Sequence, residues 1–200
     1  AGSIVGCDYD SVNNSLYVVS AGGSIWKNNG LVTNSWTLVN DNYIFRNNFI
    51  KIINRNSGGT RIITQINEQV SYSDDGGATF TPSALTFPVA WSVNGVKQIV
   101  HVKGSTTVYL LCYMWDEVSW SARVVLYRST NDGASFSRIY TFNHGSEALV
   151  KMMMPYNTNE VYVLDAKSSA GNLQFFQLSG TSLILINSVA QPQTITSDLQ

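Results

Sequence analysis

Four segments of the chain share one pattern: SVNNSLYVVS at 11–20, RNSGGTRIITQ at 55–65, VKGSTTVYLLCYM at 102–114 and YNTNEVYVLDA at 156–166. Each is a turn of Asn, Gly and Ser followed by alternating Val, Ile, Leu and Tyr, with Leu16, Ile62, Val108 and Val161 in the same place. The alternation has the period of a strand with two unlike faces, and the turn residues suit tight hairpins. The pattern returns roughly every 50 residues with room for about four strands, the dimensions of a β-propeller blade. A unit of this size buries its apolar faces only by stacking on its neighbours.

Each unit divides into four strands, A to D. They are SIVGCDY, SLYVVS, SIWK and SWTLVN in the first unit, and NFIKIIN, TRIITQI, QVSYS and a short run after Phe80 in the second. The third has VKQIVHV, TVYLLCYM, ARVVLYRS and FSRIYTF; the fourth has ALVKMMM, EVYVLDA, LQFFQLS and SLILINS. The expected fold is therefore all-β, a single region of about four propeller blades at 1–46, 47–94, 95–146 and 147–190, with a tail at 191–200. No window carries an uninterrupted helical apolar period, so helix content is expected to be close to nil.

Composition narrows the function. Hydrophobic residues make up 44% of the chain and charged residues only 12%, so it buries a core while solvating itself with Asn, Ser, Thr and Gly. A net charge of -1 leaves no basic stripe for phosphates, which argues against nucleic acid. No apolar stretch approaches the ~18 residues that read as a membrane-spanning helix. Cys7 and Cys112 lie in apolar strand patterns without a neighbouring Cys or His at metal-ligand spacing, and read as buried free thiols. No motif points to a nucleotide, flavin or haem, so no cofactor is expected.

Two C–D turns carry a second, shorter motif. SYSDDGGATF at 71–80 and YRSTNDGASF at 127–136 align Ser73, Asp75, Gly77, Thr79 and Phe80 with Ser129, Asn131, Gly133, Ser135 and Phe136. An Asp or Asn here accepts backbone N–H bonds, glycine allows positive φ, and the closing aromatic packs into the seam between sheets. The spacing lacks the terminal Glu of a calcium loop, so no metal is expected. The motif resembles the Asp-box, S-x-D-x-G-x-T-[FW], of the bacterial-neuraminidase-type repeats in sialidases, sortilin-like receptors and secreted glycan-active propellers. It decays in the first unit, WKNNGLVTNSW, where Asn29 could take the Asp place, and in the fourth, QLSGTSL. The resemblance implies a structural turn on the face away from the central pocket, so Asp74 and Asp75 are not expected to form a catalytic pair.

The same resemblance places function on the opposite face, at the B–C and D–A connections. There WDEVSWS at 115–121 is longer than its counterparts and carries Trp115, Asp116, Glu117 and Trp120. Trp faces stack on sugars and carboxylates accept hydroxyl bonds, so Trp91, Trp115, Trp120, Asp116 and Glu117 are the candidate ligand-binding residues, with His144 and Glu147 on the next D–A loop. The competing reading packs Trp115 and Trp120 between blades and leaves Asp116 and Glu117 as a solvated hairpin tip. His101 reads as a satisfied sheet position.

Asp116 and Glu117 are weak catalytic candidates: adjacent in sequence, they do not obviously flank one glycosidic bond, and a second acid would have to come from Asp41, Asp165 or elsewhere. Sialidases also use an arginine triad. Arg46, Arg55, Arg61, Arg123, Arg128 and Arg138 are present, but YIFRNN departs from the family's F/Y-R-I-P segment, so no catalytic residue is carried over.

AGGSIWK followed by WTLVND resembles Asn/Ser/Thr-rich extracellular propellers of bacteria, the Bacteroidetes especially. This implies a secreted or cell-surface module binding a glycan or protein partner without catalysis of its own; alternatives are part of a glycoside hydrolase completed elsewhere, or a scaffold. The Asp-box families are dominated by six- to eight-bladed rings, so four units are expected to be part of a larger propeller, with remaining blades or other domains as partners.

Overall fold

The computed structural model describes residues 3–31, 35–42, 49–66, 68–142, 149–166 and 172–190. They form four antiparallel sheets in chain order, without α-helix among the described residues. The first contains β1 (Ile4–Asp10), β2 (Ser15–Ser20), β3 (Ile25–Asn29) and β4 (Trp36–Asn40). The second contains β5 (Ile50–Asn54), β6 (Thr60–Ile66), β7 (Gln69–Ser73) and the short β8 (Thr81–Pro82). After β9 (Ala84–Leu85) come β10 (Trp91–His101), β11 (Val108–Asp116), β12 (Ser121–Ser129) and β13 (Ser135–Phe142), then β14 (Val150–Met153), β15 (Val161–Ala166), β16 (Asn172–Ser179) and β17 (Ser182–Ala190).

Each sheet is a simple up-and-down meander, the four-stranded blade that the repeat dictates. Two details depart from it. The third blade starts at Trp91 rather than near residue 95, because β11 and β12 run on past the neighbouring hairpins and Trp91–Val93 pair with that extension. β9 leaves the second blade and pairs in parallel with β13, Ser135 opposite Ala84, stitching the two blades together.

The core lies in the seams, because strand alternation sends one set of side chains to each neighbour. On β11, Val108, Leu110, Cys112 and Met114 pack with Ile53, Ile63 and Val70 of the second blade. Tyr109 and Leu111 pack the other way, with Val161, Val163 and Phe176 of the fourth. Tyr17, Val19 and Ile25 meet Ile50, Ile52 and Ile62 between the first two blades. At about 1.5–3 kcal/mol for each large apolar side chain buried, these seams dominate the stability.

The two C–D turns with the shared motif have three hydrogen bonds in common. Ser73 Oγ donates to Asp75 Oδ1 (2.7 Å) and accepts from Gly77 N (2.8 Å), while Thr79 N donates to Asp75 (3.0 Å). In the third blade Ser129 Oγ donates to Asn131 Oδ1 (2.8 Å) and accepts from Gly133 N (2.9 Å), and Ser135 N donates to Asn131 Oδ1 (2.9 Å). The turn carbonyls face the preceding blade, which grips them: Asn40 Nδ2 donates to Gly77 O (3.0 Å) and Ser83 Oγ to Gly133 O (2.7 Å). Tyr109 OH does the same to Gly180 O of the fourth blade (3.0 Å), although that turn has lost the motif.

The hydroxyl of Thr79, its backbone N–H and the Ser73 hydroxyl hold the Asp75 carboxyl well below the usual carboxylate range. A depressed folded pKa contributes stability above the unfolded value of about 3.9 that is lost as pH falls through the folded one. Thermal melts of Asp75→Asn should therefore fall less between pH 6 and pH 3 than those of the parent. The variant should fold, because Asn131 fills the same place in the third blade; an unchanged acid limb would remove Asp75 as its source.

One cysteine departs from expectation. Cys112 is fully buried and burial pushes its thiol up, but Cys7 is exposed. On β1 the neighbouring Asp8 faces the second blade, where it pairs with Lys51 at 2.9 Å, so Cys7 points to the outer face of the first blade.

Candidate functional site

WDEVSWS is the tip of a tight hairpin rather than a long open loop. Trp115 and Asp116 end β11, Ser121 begins β12, and only Glu117–Trp120 turn. Asp116 caps that turn: Oδ1 accepts from Val118 N (3.0 Å) and Ser119 N (3.2 Å), and Oδ2 from Ser119 Oγ (2.6 Å). The Ser119 hydroxyl bond holds the Asp116 carboxyl below its ordinary value. Glu117 is exposed at the tip, with its N–H donating to Ala90 O (2.9 Å) on the preceding connection.

The first blade contains the same turn. Asp10 Oδ1 accepts from Val12 N (3.0 Å) and Asn13 N (3.1 Å) in DSVNNS, as Asp116 does in DEVSWS. Fifth in each comes a left-handed residue, Asn14 at φ 48° and Trp120 at φ 49°. Asn is at home there; a bulky aromatic is an outlier. Trp120 is nonetheless 77% exposed, so neither packing nor backbone preference explains it. Trp120→Gly should raise stability by about 0.5–1 kcal/mol, read as a higher melting temperature. A destabilised variant would mean that Trp120 contributes to the fold.

The three tryptophans do not share one platform. Trp91 is opposite Asp116, on the face of the third blade toward the second, whereas Trp115 is opposite Ser92 and points toward the fourth. Trp120 stands at the tip. What lies beside Trp91 is a cavity of about 400 Å³ in the seam between second and third blades. Its lining joins aromatic Phe87 and Trp91 to polar Glu68, Gln69, Ser83 and Ser92. The Arg138 guanidinium lies over the Trp91 ring, 5.8 Å from its centroid. The sequence offered a clue in TFPVAW, two aromatics four residues apart on a D–A connection, but not the partnership with Glu68 across the seam.

The remaining candidates are dispersed. Asp41 is exposed beyond β4, Asp165 is buried on β15, and His101 Nε2 lies 2.9 Å from Ser105 O within its own turn. Arg61 and Arg55 pair with Asp74 at 2.6 and 3.2 Å. Asn29 Oδ1 accepts from Ser15 Oγ at 3.2 Å, and the turn it enters continues into residues outside the described ones. Arg46, His144, Glu147 and the 191–200 tail lie outside the described residues. Among the described residues no group of three His, Cys, Asp or Glu side chains could hold a metal ion.

No protein family and no curated protein matches the sequence. Solved structures do. A protein from Lactobacillus plantarum aligns with a TM-score of 0.53 at 11% identity over 91% of this chain and 56% of its own. An exo-beta-1,3-galactanase from Phanerochaete chrysosporium gives 0.53 at 12% over 95% and 50%, and the Dos1 propeller 0.53 at 13% over 95% and 48%. The fold is a β-propeller. The chain spans about half the length of these propeller structures, and at such identities the likeness carries the fold alone.

Proposed function

We propose that this chain is a glycan-binding Asp-box propeller module of a secreted or cell-surface protein, and that the sugar enters the seam cavity beside Trp91. The observation that carries the reading is the lining: two aromatic side chains next to a carboxylate, an amide and hydroxyls, in a concave site of ligand size. Aromatic faces suit the C–H faces of sugar rings, and the polar groups suit hydroxyls. The two motif turns support the family assignment by their Ser–Asp and Ser–Asn bonding. Glu68 is the carboxylate among the described lining residues, whereas most glycoside hydrolases need two, so the reading is of binding rather than cleavage.

A panel of soluble polysaccharides and sialylated glycans, scored for retardation in affinity gels and for sugar release, tests this. Retardation without release, weakened roughly tenfold by Trp91→Ala, is the expected result, tenfold being the order of one aromatic stacking contact. Glu68→Gln should weaken it too while leaving the packing of Trp91 in place. Sugar release would move the protein to the hydrolases; no retardation by any glycan would remove the proposal.

A further inference from the structure

Trp120 is held where neither its backbone nor its packing favours it. Asp116 fixes the turn by accepting from Val118 N and Ser119 N, and the fifth place of that turn takes a left-handed residue. The matching turn at Asp10 puts Asn14 there, whereas this one displays an indole that is 77% exposed. A bulky aromatic kept at an exposed tip against its backbone cost points to a contact made outside the chain.

The tip is tied to the cavity beside Trp91. Asp116 lies opposite both Trp91 on β10 and Ser121 on β12, so the row that begins at Trp91 ends beside Trp120, about 10 Å away at two strand spacings. Glu117 N donates to Ala90 O (2.9 Å) and Trp91 N to Pro88 O (2.9 Å), which fixes the connection at 88–91 against the tip. Val89 and Val118, the sequence neighbours of Ala90 and Glu117, are both exposed and add apolar surface there.

We infer that a glycan chain seated in the cavity continues across this tip and stacks on Trp120, so that the ligand is a polysaccharide and not a terminal mono- or disaccharide. The inference rests on the cavity reading above and adds chain length to it. At about 400 Å³ the cavity is toward the small end of ligand sites, which run roughly 300–1,000 Å³, so a polymer that enters it has to run on outside it. Of the lining residues on β10, Trp91 is nearest the tip and gives the direction. An indole face accepts the C–H face of a sugar ring, and the Glu117 carboxylate on the same tip accepts hydroxyl hydrogen bonds.

The experiment compares soluble galactan, xylan and mixed-linkage β-glucan with the disaccharides of the same sugars, by gel retardation for the polymers and calorimetry for both. Trp120→Gly should melt higher than the parent yet bind the retarding polysaccharide about three- to tenfold more weakly, with disaccharide affinity unchanged. A gain in stability joined to a loss of polymer binding is not what a merely structural residue produces. Trp120→Tyr should keep most of the polymer affinity. Trp91→Ala should weaken polymer and disaccharide alike, which separates the two readings. If Trp91→Ala weakens retardation and Trp120→Gly does not, the chain does not cross the tip and the cavity reading stands without it. Equal losses for polymer and disaccharide in Trp120→Gly also overturn the inference. Retardation by none of the polysaccharides removes both readings.

Discussion

Gly133→Ala should lower the melting temperature by about 5–15 °C, the equivalent of about 2–4 kcal/mol in a chain of this size. Two costs combine at this position. Its φ of +82° is one that L side chains rarely adopt, a penalty of roughly 1–2 kcal/mol. A Cβ there would also lie 2.3 Å from Ile63 Cδ1 and 3.3 Å from Phe136 Cζ. Ile63 belongs to the second blade and is fully buried, so it has nowhere to move without disturbing the seam. Gly76 separates the two costs: its φ is +77°, but nothing lies within 4 Å of an added Cβ. Gly76→Ala should therefore lose only the backbone part. Gly77, with Val39 Cγ1 at 2.7 Å, should behave like Gly133. If Gly133→Ala and Gly76→Ala melt together, the glycine's role ends with its backbone, and the close approach of the blades contributes nothing.

The blade plan was legible because its signals are local. Strand alternation and hairpin chemistry act within about ten residues, and Ser73–Phe80 and Ser129–Phe136 make their defining bonds inside one turn. What could not be read depends on a neighbouring blade. The β9–β13 pairing joins Ala84 to Ser135 across the whole of β10, β11 and β12, and the early start of β10 at Trp91 exists only because β11 and β12 extend to meet it. Cys7 looked buried because its strand pattern is apolar; its exposure follows from being on the first blade's outer side.

The tryptophans show the same limit at the site. Sequence spacing puts Trp91 and Trp115 near one end of the third blade, and the structure does so. Which face each takes depends on register, and β10 carries two irregularities, between Val93 and Gly95 and between Val96 and Gln98. Each shift in register changes which residues share a face, so the set facing the second blade runs Ile99, Val96, Val93 and Trp91 rather than alternating strictly along the strand. The role of Asp116 was legible by a comparison internal to the chain: DEVSWS and DSVNNS are one turn written twice, and in the copy at Asp10 the carboxylate is bound to its own backbone.

Arg61→Ala is the substitution with the other large expected effect, about 2–4 kcal/mol of stability. Arg61 lies on β6 and is 7% exposed. Its Nε and Nη2 donate to both Asp74 oxygens at 2.7 and 2.6 Å, and its plane covers the Tyr72 ring at 4.1 Å. Nη1 crosses the seam to Asn131 O (3.1 Å) and Asp132 O (3.2 Å) in the third blade's turn. The Asp74 bond raises the Arg61 pKa and lowers that of Asp74 in return. Asp74 keeps Arg55 and partial access to water, so the exposed half of this cluster is worth little by itself. The larger loss lies in the two carbonyls and the stacked surface that only a planar, forked donor serves at once. Arg61→Lys should accordingly recover less than half of the loss, and Asp74→Asn should cost clearly less than Arg61→Ala. Were Asp74→Asn as damaging as Arg61→Ala, the ion pair rather than the reach into the next blade would be what Arg61 supplies.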